Sequence, residues 1–216
     1  MKKYTFMIAI LMFSIQLSFA ADPAYQKAMG AQLEKLESAQ TAEQLRDAAN
    51  GFSRIAEMNQ DEWLPNYYAA LALINAGFRT EGLQAQDAFY HEAKVLLEKT
   101  VQAHGESAEL LALKGYALMA ELSADPSSRG QSMSGEVMNT FGRALSLDPQ
   151  NPRAMLLMAQ MELGTAQFFG QGPEKACGMV QNSIKLFEQE EKQQLDATLS
   201  PVWGKDMAVK IAAQCQ

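Results

Sequence analysis

The residues whose types and spacing could carry chemistry in this 216-residue chain are few. Cys177 and Cys215 are the only cysteines. In an exported chain such a pair invites one disulfide, and two free thiols are the alternative. His91 and His104 fall near the two ends of one expected helix, too far apart to share a metal ion. His91 with Glu92 or Asp87, and His104 with Glu106, are the ligand pairs on offer, against the simpler reading of solvated surface histidines. No HExxH, GxSxG or close Cys–His pair occurs, and neither histidine has the surroundings of a triad base. Gly170-Gln171-Gly172-Pro173 with Lys175 could offer backbone N–H groups to an anion. Without a preceding strand, a GxGxxG or a P-loop Lys-Ser/Thr, a helix-start turn accounts for it. Glu188-Gln189-Glu190-Glu191-Lys192 reads as a solvated helix face rather than a glycosidase carboxylate pair. Met133, Met138, Met155, Met158, Met161 and Met179 read as core filler, with an adaptable or soft-metal surface as the sharper alternative. The expectation is binding, with no enzyme activity, no metal and no cofactor.

Composition bounds what can position these groups. The chain is 48% hydrophobic and 20% charged, enough apolar material for a core and too little charge for disorder. Eighteen Lys+Arg against twenty-five Asp+Glu give a net charge of −7, which repels phosphate backbones and argues against nucleic acid. Lys2 and Lys3 precede an apolar run from Tyr4 to Phe19 that ends in Ser18-Phe19-Ala20. A basic start, a short apolar stretch and a small-x-small exit predict a signal peptide over 1–20, cut after Ala20. An uncleaved anchor is the alternative, although the run is short for a span of about twenty residues. Losing two lysines takes the net charge from −7 to −9. The remaining 21–216 is then one exported domain, periplasmic or secreted.

That domain repeats, and its repeat is helical. Leu111-x-x-Lys114-Gly115-x-x-Leu118 is followed by Val137-x-x-x-Phe141-x-x-Ala144 and Pro149. Upstream stand Pro65-x-x-Tyr68-Ala69-x-x-Ala72 with Ala93-x-x-x-Leu97, and Met29-Gly30-x-x-Leu33 with Ala48-x-x-x-Phe52. Downstream, Met155-x-x-Met158-Ala159 precedes Ala176-x-x-x-Val180. From Phe52 to Ala69, Leu97 to Gly115 and Phe141 to Ala159 the offsets are 17, 18 and 18 residues. This pattern resembles the tetratricopeptide repeat, whose usual period is about 34 residues. The small residues Gly30, Ala69, Gly115 and Ala159 would let neighbouring helices approach closely. Local signals agree: Thr41 with Gln44 forms a capping box, and Pro152 and Pro173 sit at helix starts.

The expected fold is all-α, a right-handed solenoid of antiparallel helix pairs near 23–58, 63–103, 106–147 and 152–191, with a capping helix in 201–216. A non-repeating helical bundle is the alternative. Helices are expected near 23–39, 41–58, 63–77, 87–103, 106–122, 133–147, 152–168, 173–191 and 202–214, with Trp203 docking on the last pair. In that register Cys177 and Cys215 fall at one level. Residues beyond the usual period gather at the turns inside pairs, over 78–86, 123–132 and 169–172, which would decorate one edge. Phe168 and Phe169 are then core or rim packing. The resemblance implies a protein-interaction module that takes a peptide or partner helix in the groove of its first helices. Asn66, Asn75, Lys114 and Gln160 are the groove candidates, with Arg79 and Arg129 on the inserted turns. A small-ligand or sugar binder using those turns is the alternative function.

Overall fold

A computed structural model of the chain describes residues 22–193 and 199–215. The expected signal peptide, 1–20, lies outside the described residues. Among them there is no strand. The helices are α1 (Pro23–Ser38), α2 (Ala42–Met58), α3 (Leu64–Phe78), α4 (Leu83–His104), α5 (Ala108–Ala124), α6 (Pro126–Leu147), α7 (Pro152–Phe168), α8 (Glu174–Gln193) and α9 (Lys205–Ala212), closed by a 3-10 turn at Ala213–Cys215. They pack as consecutive pairs, α1 on α2, α3 on α4, α5 on α6 and α7 on α8. Successive pairs touch through α3 with α5 and α5 with α7. The fold is all-α.

Local chemistry sets most boundaries. Thr41 Oγ1 accepts from the Gln44 N–H at 3.1 Å while Gln44 Oε1 accepts from the Thr41 N–H at 3.2 Å, a complete capping box. Asn151 Oδ1 accepts from the Ala154 N–H at 2.8 Å, and Pro152 follows where a helix needs no N–H. Gly105 ends α4 at φ 84°, a left-handed turn that a side chain would strain.

Two helices begin earlier than their composition suggests. α4 starts at Leu83, not near 87, and α6 at Pro126, not near 133. Asp125 is the only residue between α5 and α6, and its carboxylate accepts from the Ser128 N–H at 3.3 Å. The stretch 123–132 is therefore not a loop. An N-cap Asp followed by Pro starts a helix despite the Ser/Gly-rich residues after it. Likewise only 79–82 of 78–86 is a turn. The added length is helical, and α4 and α6 reach 22 residues each.

In the two middle pairs burial separates the first helix from the second. α4 buries the stripe Tyr90, Ala93, Leu97 and Thr100, and α6 buries Val137, Phe141 and Ala144, one face of each. The motif residues Ala48, Phe52, Ala93, Leu97, Val137, Phe141, Ala176 and Val180 are all buried. α3 and α5 are instead buried on nearly every face. Something must cover both of their sides.

Ala69 and Ala159 are fully buried, and a Cβ on Gly115 would stand 2.3 Å from the Phe141 ring. Gly30 departs from this: it is half-buried, with no atom near where its Cβ would be, because α1 has a neighbour only on the inner side. The close approach in the first pair comes from Gly51 of α2 against Gln32. Gly115→Ala is expected to cost about 1–3 kcal/mol through overpacking, measured by urea unfolding. Gly30→Ala, which meets nothing, should be neutral or slightly stabilising by helix propensity.

Candidate functional site

The cover over the first helices is the chain's own C-terminal segment, a strap running from Leu199 through α9. Leu199–Gly204 crosses α3, α5 and α7. Tyr68 Oη on α3 donates to the Leu199 carbonyl at 2.9 Å. The Trp203 indole stacks on Tyr116 of α5, centroids 5.4 Å apart, and its Nε1 donates to Tyr67 Oη at 2.7 Å. Arg153 of α7 donates to the Trp203 carbonyl at 3.4 Å. Gly204, at φ 111°, turns the chain into α9 against the Phe187 ring, where a Cβ would stand at 2.7 Å. Trp203 thus reaches well beyond the last pair. The groove in which a peptide was expected is filled along these three helices.

A buried ionic cluster holds this junction. Arg153 is 2% exposed and bonds through Nε to Glu109 Oε1 at 2.6 Å and through Nη1 to Glu190 Oε2 at 3.0 Å. Tyr67 Oη donates to Glu109, whose other oxygen accepts from Asn151 Nδ2 at 2.8 Å. Burial pushes the Tyr67 hydroxyl well above its ordinary pKa, and the Glu109 charge adds to the rise. Burial opposes the charge on Arg153, but Glu109, Tyr67 and Glu190 outweigh it and raise its pKa. Each charged side chain in the cluster has an oppositely charged partner, which offsets the cost of burying it.

Tyr67, Glu109 and Arg153 each lie in the first turns of α3, α5 and α7, so their contact sets these packed helices parallel with starts at one level. Their far ends therefore emerge on one edge. There Phe168 and Phe169 form an edge-to-face pair, 83% and 67% exposed, and Phe78 is 45% exposed against Tyr90 and Tyr116. Leu83 and, on α9, Val209 add exposed apolar surface. Phe168 and Phe169 are rim and not core. Gly170-Gln171-Gly172 terminates α7, the Gln171 N–H donating to the Ala166 carbonyl at 2.7 Å. α9 points to the same edge, since Cys215 is bonded to Cys177 in the first turn of α8. The bridge spans 38 residues. A loop of that length constrains the unfolded chain by about 4 kcal/mol in the entropic account.

The six residues singled out from sequence do not converge. Lys114 faces outward, 3.2 Å from Glu98, in a polar depression of about 630 Å³ between α4 and α6 that Arg143 and Asn139 also line. It stands on the face of α5 turned toward α4 and α6, not on the side that Trp203 covers. Asn66 and Asn75 are half-buried on α3, and the Asn75 carbonyl accepts from Arg79 at 3.5 Å. Gln160 turns its Oε1 inward, where no donor among the described residues meets it. Arg129 is engaged twice over by Asp87, at 2.7 and 2.6 Å, and by the Glu121 carbonyl at 2.7 Å. Bonding to Arg129 holds the Asp87 carboxyl below its ordinary pKa. Only Arg79, exposed beside Phe78, remains on the apolar edge. His91 is exposed in the first half of α4 and His104 half-buried at its C-terminal end, 13 residues apart. Among the described residues no three His, Cys, Asp or Glu side chains converge as a metal site. No described helix is long and apolar enough to cross a membrane.

No family profile matches the chain, and no curated protein does. Among solved structures it is similar to the HusA haemophore from Porphyromonas gingivalis, at 29% sequence identity and a TM-score of 0.78. The likeness covers 90% of this chain and 94% of that one.

Proposed function

We propose that the chain is an exported, non-catalytic carrier that holds haem, or a planar tetrapyrrole like it, against the apolar edge of Phe78, Phe168 and Phe169. The likeness to a haemophore along nearly the whole of both chains is the observation that carries this reading. Membership of the tetratricopeptide-like superfamily, and export directed by 1–20, belong to the same proposal.

The edge has suitable chemistry. A tetrapyrrole presents a wide apolar face and carboxylates at its rim. Exposed aromatic rings suit the first, and Arg79 beside Phe78 suits the second. Exposed aromatic surface such as that of Phe168 and Phe169 is a common mark of a binding site. Both cysteines are bonded to each other, so neither thiolate is free to ligate iron. Of the sequence-derived alternatives this favours the small-ligand binder on the turns 78–86 and 169–172. The peptide-binding scaffold built on Asn66, Asn75, Lys114 and Gln160 yields to it, because the protein's own segment lies in that groove.

Titrating the full chain with haemin tests the reading through the Soret band. The expected result is a shifted band that saturates at a fixed stoichiometry. Phe168→Ala with Phe169→Ala should weaken binding at least tenfold while far-UV circular dichroism stays unchanged, each lost ring being worth about 1.5–3 kcal/mol. No saturable band, or affinity indifferent to both substitutions, would count against it.

A further inference from the structure

α4 and α6 both pack on α5 and touch each other little. Near their starts Arg129 clamps Asp87 through two bonds, at 2.7 and 2.6 Å. Beyond that clamp lies the depression of about 630 Å³ between them, floored by Leu111 and Lys114 of α5. Its walls carry charges of both signs, Lys114 and Arg143 against Glu98, Glu106 and Glu136. Lys114 stands 3.2 Å from Glu98, and Arg143 is bonded to Glu106. These four side chains are between 28% and 56% exposed. Ion pairs open to solvent contribute little, so a charged ligand can replace either partner at small cost. Glu136 has no cation within ion-pair distance among the described residues. Gly135 beside it sits inside α6, where a Cβ would meet nothing within 4 Å. Packing does not demand glycine there and glycine weakens a helix, but the missing side chain widens the depression.

We propose that this depression is a second binding site, and that it takes a short peptide with free termini. Arg143 and Lys114 receive the terminal carboxylate, and Glu136 receives the terminal ammonium. Gln102 and Asn139, which also line the depression, meet the peptide groups between, since each amide offers both donor and acceptor. A purely anionic ligand would face three carboxylates, and a purely cationic one would face Lys114 and Arg143. A neutral sugar would cover both ion pairs without replacing the water that solvates their charges. The volume is that of a small-ligand site and exceeds what one amino acid fills. The inference is independent of the haem reading, since it concerns another face and another probe.

Isothermal titration calorimetry of the full chain with triglycine, N-acetyl-triglycine and triglycine amide tests it. Triglycine should give a saturable heat with one peptide per chain, and each blocked peptide should bind about tenfold more weakly. Glu136 and Arg143 are exposed, so substituting them leaves the core untouched. Arg143→Gln should weaken triglycine severalfold and leave triglycine amide unchanged, because the amide has no carboxylate to lose. Glu136→Gln should weaken triglycine and leave N-acetyl-triglycine unchanged, because that peptide has no ammonium. No saturable heat at millimolar triglycine would overturn the proposal. So would equal affinity for all three peptides, or binding that neither substitution alters.

Discussion

Replacing Arg153 with alanine should lower the thermal unfolding midpoint by about 6–20 °C. Arg153 is 2% exposed and is bonded to Glu109 and Glu190. Truncation leaves two carboxylates, themselves mostly buried, without a counter-charge, and a broken buried pair costs about 3–5 kcal/mol. It also takes a donor from the Trp203 carbonyl and so loosens the strap. A triple variant, Arg153→Met with Glu109→Gln and Glu190→Gln, should recover much of the loss, because no charge is then stranded. Differential scanning calorimetry of both variants decides the matter. A shift under about 2 °C for Arg153→Ala would mean that the cluster is solvated and does not bind the strap to the first helices.

Phe141→Ala should cost about 3–5 kcal/mol in urea unfolding. Phe141 is fully buried and fills the space that Gly115 leaves on α5. Leu97→Ala, the corresponding change in the preceding pair, should cost about 2–5 kcal/mol, since Leu97 is equally buried. Comparable losses at both sites are the energetic mark of a repeated packing unit. A loss at Phe141 with none at Leu97 would contradict it.

What was legible in the sequence was local or periodic. The Thr41–Gln44 box and the Asn151-Pro152 start depend on neighbours within one turn, and the residue types name them. The nearly constant offset between pairs comes from hairpins burying the same positions, so Ala48 with Phe52 and Val137 with Phe141 could be read by register alone. Early helix starts were hidden by composition, since 127–135 looks like a loop until Asp125 is recognised as its cap. A capping helix in 201–216, a docked Trp203 and the level of Cys177 with Cys215 could be read, but not the course of the strap back to α3 and α5. Tyr68 meets Leu199 across 131 residues and Trp203 meets Tyr67 across 136, and no periodicity spans such distances. Arg153 likewise gave no sign of burial, because its partners come from α5 and α8. The all-round burial of α3 and α5 was the one available hint, visible as an α3 without a charged residue and an α5 dense in Ala and Leu. Such helices need cover on two sides, and the remaining chain had to supply it.

The edge of exposed rings follows from the same arrangement. Parallel first helices deliver Phe78 and Phe168 to one side, and the strap closes the groove between them and the helix starts. A carrier working through this surface leaves the buried cluster undisturbed when it loads.

Mapping haemin contacts by NMR on the full chain, with labelled phenylalanine, tyrosine and tryptophan rings, probes both halves of this picture at once. Signals of Phe78, Phe168 and Phe169 should shift or broaden while those of Tyr67, Tyr68 and Trp203 stay in place. Perturbation centred on Tyr67, Tyr68 and Trp203, or none anywhere, would contradict it.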